Sequence, residues 1–341
     1  MRLVVKASKY DVIVIGAGHA GCEAARARAR MGLRTAMITM NLDLIAQMSC
    51  NPAIGGIAKG HLVREVDALG GIMGRATDRA SIQFRMLNRS KGPAVWSPRS
   101  QCDRGLYRRA VRALLEQHEG IRFAQGTVTR LLLHSGRVRG IETSGGERLL
   151  AGAVVLTTGT FLRGQIHIGL DAAIPAGRAG DSPSVELAQE LIEHGLILGR
   201  FKTGTPPRID GRTVNLGRLQ VQVGESAGEK FSFYEQPEVL PQLPCYLTWA
   251  GREVKEIIQR HLHLSALYGG AISGKGPRYC PSVEDKIVKF PDAERHQVFL
   301  EPEGLATHEM YVNGPSTSLP PAVQLEFLHA VPGLEAVGMT R

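Results

Sequence analysis

No apolar run in this chain approaches the roughly 20 residues that a membrane-spanning helix requires, so no helical span is expected. The first residues, Met1-Arg2-Leu3-Val4-Val5-Lys6-Ala7-Ser8-Lys9, break their apolar stretch with lysines before it reaches the length of a signal-peptide core. A cytoplasmic protein is expected. Cysteine is sparse: Cys22, Cys50, Cys102, Cys245 and Cys280 are odd in number, widely spaced and include no Cys-x-x-Cys pair, which argues against both a disulfide framework and a zinc knuckle. There is no internal repeat and no low-complexity tract. A P-loop is also absent: Gly55-Gly56-Ile57-Ala58-Lys59-Gly60-His61 is glycine-rich, but it contains no Gly-Lys-Ser/Thr and no strand leads directly into it.

What is present describes a globular protein. The 341 residues are 43% hydrophobic and 21% charged, enough for two compact units. Lys plus Arg (41) exceed Asp plus Glu (32) by nine, a balance that favours a polyanion such as RNA over an acidic protein. Between Arg75 and Arg112 lie Arg79, Arg85, Arg89, Lys91, Arg99, Arg104, Arg108 and Arg109, opposed only by Asp78 and Asp103. This stretch is a candidate phosphate-binding surface, with a solvated helix face as the ordinary alternative. Over Arg104 to Gln117, Leu106, Ala110, Val111, Leu114 and Leu115 share one helical face, which leaves Arg108 and Arg112 on another.

Tyr10-Asp11-Val12-Ile13-Val14-Ile15 reads as a strand buried on both faces, ending at Gly16. A helix follows from His19 to about Met31, stopped by Gly32, and Arg34 to Thr39 gives a second parallel strand. Within this βαβ unit, Gly16-Ala17-Gly18-His19-Ala20-Gly21 fits Gly-x-Gly-x-x-Gly in the context that gives the pattern force. Gly16 allows the tight turn, Gly18 lets a pyrophosphate approach the backbone, Gly21 lets helix and strand pack, and the helix N-terminus faces the anion. The second strand ends in Thr39-Met40-Asn41, where the usual fingerprint offers an acid to the ribose, so that contact is unassigned.

Further along, Leu62, Val63, Val66 and Leu69 recur at helical spacing up to Gly70-Gly71. From about 122 to 151 an antiparallel meander is expected, with short strands at 127–133, 138–143 and 148–150, and Ala153 to Thr157 is a buried strand that breaks at Gly159. Meander plus returning strand favours FAD over NAD at the first site. A helix is expected from about Ser184 to His194, with Asp181 and Ser182 as candidate caps. The expected architecture is α/β, a doubly wound parallel sheet of the two-dinucleotide-binding flavoprotein type with an antiparallel meander and an inserted α/β domain. Its expected boundaries are 1–201 for the FAD-binding domain, 202–273 for the insertion and 274–341 for a nicotinamide-binding loop and the start of a return.

Two cysteines stand apart. Cys50 lies in Met48-Ser49-Cys50-Asn51-Pro52-Ala53-Ile54-Gly55-Gly56, close in sequence to Lys59 and His61, and a nearby cation favours thiolate. Cys280 sits in Gly274-Lys275-Gly276-Pro277-Arg278-Tyr279-Cys280-Pro281-Ser282, where glycine and proline on both sides suggest a loop with an accessible thiol. A buried inert thiol and an incidental turn residue are the ordinary readings of the two. Cys22 and Cys245 look unremarkable and Cys102 ambiguous.

Together with Lys202-Thr203-Gly204-Thr205-Pro206-Pro207-Arg208 and Leu300-Glu301-Pro302-Glu303-Gly304, these motifs resemble the tRNA uridine 5-carboxymethylaminomethyl modification enzymes, the MnmG or GidA family, from about Tyr10 to Arg341. The resemblance implies an FAD protein and a homodimer that works with an MnmE-type GTPase, in a heterotetramer, on the wobble uridine of certain tRNAs. It implies NADH as reductant, methylene-tetrahydrofolate as one-carbon donor, and an amine that completes the (carboxymethyl)aminomethyl group at C5. Residue by residue, it places Gly16, Ala17, Gly18, His19, Ala20 and Gly21 on the FAD pyrophosphate, with Val128 and Ser184 as further FAD contacts. The nicotinamide segment falls on Gly276, Pro277, Arg278, Tyr279, Cys280, Pro281, Ser282, Val283, Glu284, Asp285, Lys286, Ile287, Val288, Lys289 and Phe290. Cys50 and Cys280 match the two catalytic cysteines. The family continues with a returning strand, a glycine-rich loop and a helical tRNA- and GTPase-binding domain, so this chain resembles its first half and is expected to be incomplete as a catalyst alone. The alternatives are a folate- and FAD-dependent tRNA uridine methyltransferase of the TrmFO type, against which Asn41 and the Cys50 motif speak, and a non-catalytic binding or dimerisation remnant.

Overall fold

The computed structural model describes residues 8–225, 229–234, 238–272, 276 and 281–341. Its first sheet orders the strands Ile121–Gln125, Thr35–Thr39, Ser8–Ile15, Arg148–Leu156, Arg137–Thr143 and Val128–His134. The first four run parallel and the last two close an antiparallel meander. The first strand is apolar without alternation because both its faces are covered. Val12 and Val14 point into one core cluster with Cys22 and Ala25 of the following helix His19–Arg30, while Ile13 and Ile15 point into another with Ile141, Leu187 and Leu191. Alternating side chains of one strand thus join two layers of core to the sheet.

Three local readings are revised. The expected strands 148–150 and 153–157 are one strand, Arg148–Leu156, because Ala151 and Gly152 stay extended in the ladder against the first strand. Residues 121–125 form a fourth parallel strand rather than the beginning of the meander. The helix placed at Ser184–His194 runs Glu186–Glu193 with Val185 at its N-cap and no side-chain cap; Asp181 instead holds Arg178 at 2.6 Å.

A second sheet orders Arg208–Asp210, Glu309–Asn313, His296–Pro302, Cys245–Ala250 and Gln220–Gln222, all antiparallel. Helices Arg252–Arg260, Val283–Lys289 and Pro321–His329 pack their apolar residues on it, and its core extends from Ile209 to Val337. This sheet therefore runs across the expected boundary at 273, and no described residue after 274 joins the first sheet. Between the two lies a small sheet of Ala53–Gly55, Ser97–Cys102 and Ser81–Leu87. The connection after Gln222 crosses onto it, with the Glu225 amide on the Phe84 carbonyl at 2.8 Å and Phe231 fully buried in the first core. Asp78 accepts the Phe231 and Ser232 amides at 2.7 Å each, which holds that crossing down. Among the described residues, no helix is long and apolar enough to cross a membrane.

Candidate active site

A cavity of about 260 Å³ opens at the carboxyl end of the parallel strands, where ligands of open α/β sheets bind. Its walls include Gly16, Ala17, Gly18 and His19 from the fingerprint turn, Val128 from the meander, Gly159 after the returning strand, and Ser184. Residues selected from three separate segments of sequence thus line one cleft. The glycines divide the work as their spacing predicts. A side chain on Gly16 (φ 101°) would place its Cβ 2.4 Å from the Thr157 carbonyl oxygen, and one on Gly21 would sit 2.0 Å from the Gly16 carbonyl oxygen, so both are packing positions. A Cβ on Gly18 meets nothing within 4 Å. The backbone there is open towards the cleft.

The helix from His19 starts without a side-chain cap and has no acid in its first turn, which leaves the positive end of its dipole and free amides for an anion. His19 is held neutral, its pKa lowered to about 4 by burial and then by Lys59, and its Nε2 has no hydrogen-bond partner among the described residues. These features fit the phosphate end of a dinucleotide. Thr157 clasps the turn through its hydroxyl on the Ile15 and Gly16 carbonyls at 2.8 and 3.1 Å. Asn41 also lines the cleft, but its carbonyl oxygen accepts the Asp43 amide at 2.8 Å and so serves its own turn.

Cys50 is at the edge of this cleft. Its neighbour Ser49 is part of the wall, and the Arg178 guanidinium, also on the wall, donates to the Ser49 hydroxyl at 3.2 Å. On the other side the second sheet supplies the loop's anchor. The buried Arg208 guanidinium donates to the Cys50 carbonyl and, at 3.3 Å, to the Ser49 carbonyl; it pairs with Glu303 at 3.0 Å and lies 4.8 Å from the Tyr311 ring centroid. Cys50 is an exposed residue, and its sulfur lies 3.6 Å from the Tyr311 hydroxyl. Lys59 places its ammonium on the Ala53 carbonyl at 3.1 Å, within electrostatic reach of the sulfur. Cys22, Cys102 and Cys245 are buried, and burial pushes each thiol up to about 12, so these three are inert.

Cys280 lies outside the described residues, as do Pro277, Arg278 and Tyr279. In the described part of that segment, Ser282 and Asp285 form a capping box on the helix Val283–Lys289, whose Val283, Glu284 and Ile287 are buried. Glu284 accepts from Ser265, Thr317 and the Ser318 amide at 2.9–3.1 Å. Lys202 approaches Asp285 at 3.6 Å, but no described residue of 276–290 lines the cleft. Sequence reasoning missed Thr157, Arg178, Tyr311 and the partnership of Arg208 with Cys50. Only Arg178, between Gly177 and Gly180, carries a local signal.

Four residues of the basic stretch are spent on internal pairs. Arg99 meets Glu301 at 2.8 Å, Arg104 meets Glu303, Arg89 meets Glu225 and Glu229 at 2.6 and 2.9 Å, and Arg112 meets Glu116 at 2.6 Å.

The sequence profile of a family described as Glucose inhibited division protein A matches residues 11–341. A tRNA uridine 5-carboxymethylaminomethyl modification enzyme MnmG of Thermodesulfovibrio yellowstonii is 55% identical over 336 residues, 98% of this chain and 54% of that protein. The enzyme of the same name from Geobacter sulfurreducens is 53% identical over 341 residues, 100% of this chain and 54% of its own. The crystal structure of Aquifex aeolicus GidA superposes with a TM-score of 0.91 at 52% identity, covering 98% of this chain and 57% of that one. The chain thus spans about half the length of the curated relatives it matches.

Proposed function

The chain belongs to the glucose inhibited division protein A family, and on that premise we propose that it is the FAD-binding part of an enzyme that modifies C5 of the wobble uridine in tRNA. The observation that carries this reading is the position of Cys50 at the rim of the fingerprint cleft, with Ser49 in the cleft wall. Gly16, Ala17, Gly18, His19, Ala20 and Gly21 hold the pyrophosphate, and Val128 and Ser184 line the remainder. FAD, when bound, supplies the redox chemistry that links NADH to a one-carbon unit from methylene-tetrahydrofolate. The segment 276–290 receives the nicotinamide, and the working assembly is a homodimer with an MnmE-type GTPase.

The chain's own chemistry is that of its thiols. Uridine C5 is a poor nucleophile until a thiolate adds to C6; the S–C6 bond forms, the C5=C6 electron pair moves towards the C4 carbonyl, and C5 then attacks carbon. A base next removes the C5 proton, the double bond reforms and the thiolate leaves. Cys50 and Cys280 divide these two tasks. Arg89, Arg99, Arg104 and Arg112 are internally paired, so tRNA recognition by this part does not rest on these four.

Titration of the purified chain with FAD tests the cofactor reading. A flavin absorption band that stays with the protein after gel filtration supports it; free flavin and an unchanged protein spectrum would overturn it and leave a non-catalytic remnant.

A further inference from the structure

The Tyr311 hydroxyl is a polar neighbour of the reacting sulfur. Tyr311 is in the second sheet, in register with Arg208 on the adjacent strand, and is almost fully buried. That register sets the Tyr311 ring over the Arg208 guanidinium, and Arg208 in turn grips the carbonyls of Ser49 and Cys50. Ring and loop are therefore fixed to the same cation. The result is a hydroxyl 3.6 Å from the Cys50 sulfur, within the range of hydrogen bonds to sulfur, made between a strand of the second sheet and the loop that carries Cys50.

We propose that the Tyr311 hydroxyl donates a hydrogen bond to the Cys50 thiolate and holds it in its reactive orientation, a role that rests on reading Cys50 as a reacting thiol. The direction of the bond follows from the surroundings. Burial first, and then the sulfur itself, raise the Tyr311 pKa well above that of an ordinary phenol, so the proton stays on oxygen when the thiol has lost its own. Of the other charged groups near the pair, Lys59 lies within electrostatic reach of the sulfur although burial lowers its own pKa, Glu301 acts against ionisation of the phenol, and Arg208, which favours that ionisation, is paired with Glu303.

A different role is available to the same contact: the hydroxyl could simply cover the sulfur. The two predict opposite signs. Tyr311→Phe keeps the ring on Arg208 and removes only the oxygen. The experiment measures the rate of carboxamidomethylation of Cys50 by iodoacetamide at one pH, read on the peptide that contains Cys50, in wild type and Tyr311→Phe. A donor lost from a charged acceptor should slow the reaction about tenfold. An equal or faster rate in the variant overturns the proposal. Cys22, Cys102 and Cys245 report on folding in the same samples, since they react only if the core opens. Should Tyr311→Phe open the core, wild type decides alone: the proposal requires Cys50 to react faster in the folded chain than in the same chain unfolded in urea, and a slower folded rate rejects it. Because the assay reads the thiol without tRNA or FAD, its outcome is independent of the proposed modification chemistry.

Discussion

Gly18 and Gly21 sit three residues apart in one motif, yet the structure assigns them opposite burdens. Gly21→Ala places a Cβ 2.0 Å from the Gly16 carbonyl oxygen and 2.8 Å from the Thr157 hydroxyl, and the nearer atom is backbone that cannot swing away. Overpacking of this kind costs about 1–3 kcal/mol, and occasionally more, against a gain of at most about 1 kcal/mol from replacing a helical glycine. A net loss of up to roughly 2 kcal/mol lowers Tm by up to about 3 °C in a chain of this size. Gly18→Ala meets no atom within 4 Å, and its φ of −73° and ψ of −175° are ordinary for alanine. Its stability should be unchanged or up to ~1 kcal/mol higher. The cost appears only when the cleft fills, because the new methyl occupies the path by which a pyrophosphate reaches the amides; a tenfold weaker Kd, about 1.4 kcal/mol, is expected. Thermal unfolding by circular dichroism without ligand and titration with FAD by fluorescence quenching read the two effects separately. If Gly18→Ala unfolds as early as Gly21→Ala, or binds FAD as wild type does, the division of labour in the turn is wrong.

Other outcomes follow from buried charge and packing. Arg208→Ala leaves Glu303 in the interior with Arg104 and Arg341 as its remaining partners, so its cost should fall near the lower end of about 3–5 kcal/mol for broken buried pairs, read as a lower urea midpoint. Phe231→Ala empties a fully buried site in the first core and should cost about 3–5 kcal/mol in the same assay. Burial raises the Asp78 carboxyl from its ordinary 3.8 to about 6, against the pull of the Phe231 and Ser232 amides. The folded state therefore binds the proton more tightly, and the stabilisation this provides is fully present below pH 3.8 and lost as pH rises through about 6. Tm measured from pH 4 to 7 should show this fall in wild type and a flatter curve in Asp78→Asn; parallel curves would refute the assignment.

The parts of the fold legible in sequence were those specified over a few consecutive residues. Val12 to Ile15 announce a strand covered on both faces, and Gly16, Gly18 and Gly21 announce their turn, because each requirement is local steric geometry. The cap of the helix at Glu186 was misread because Asp181 has a closer claim on it from Arg178, which local spacing does not reveal. The basic run from Arg75 to Arg112 looked like a surface field because the acids that pair with Arg89, Arg99 and Arg104, namely Glu225, Glu229, Glu301 and Glu303, are more than a hundred residues away. The same distance hid the most informative contact of the site: Tyr311 meets Cys50 across 261 residues, through a strand register that only the folded second sheet defines.

The claim at the centre of this account is that the Cys50 thiol, at the rim of a dinucleotide cleft, performs chemistry on tRNA. The direct test joins this chain to the remaining half of a full-length relative, introduces Cys50→Ser into that hybrid, and expresses it in cells lacking their own enzyme. Nucleosides from tRNA are then analysed by mass spectrometry, with the flavin content of the purified hybrid as a control. The expected result is bound FAD with no (carboxymethyl)aminomethyl group at the wobble uridine, whereas the hybrid with Cys50 intact restores it. Normal levels of the modified nucleoside in Cys50→Ser would contradict the account.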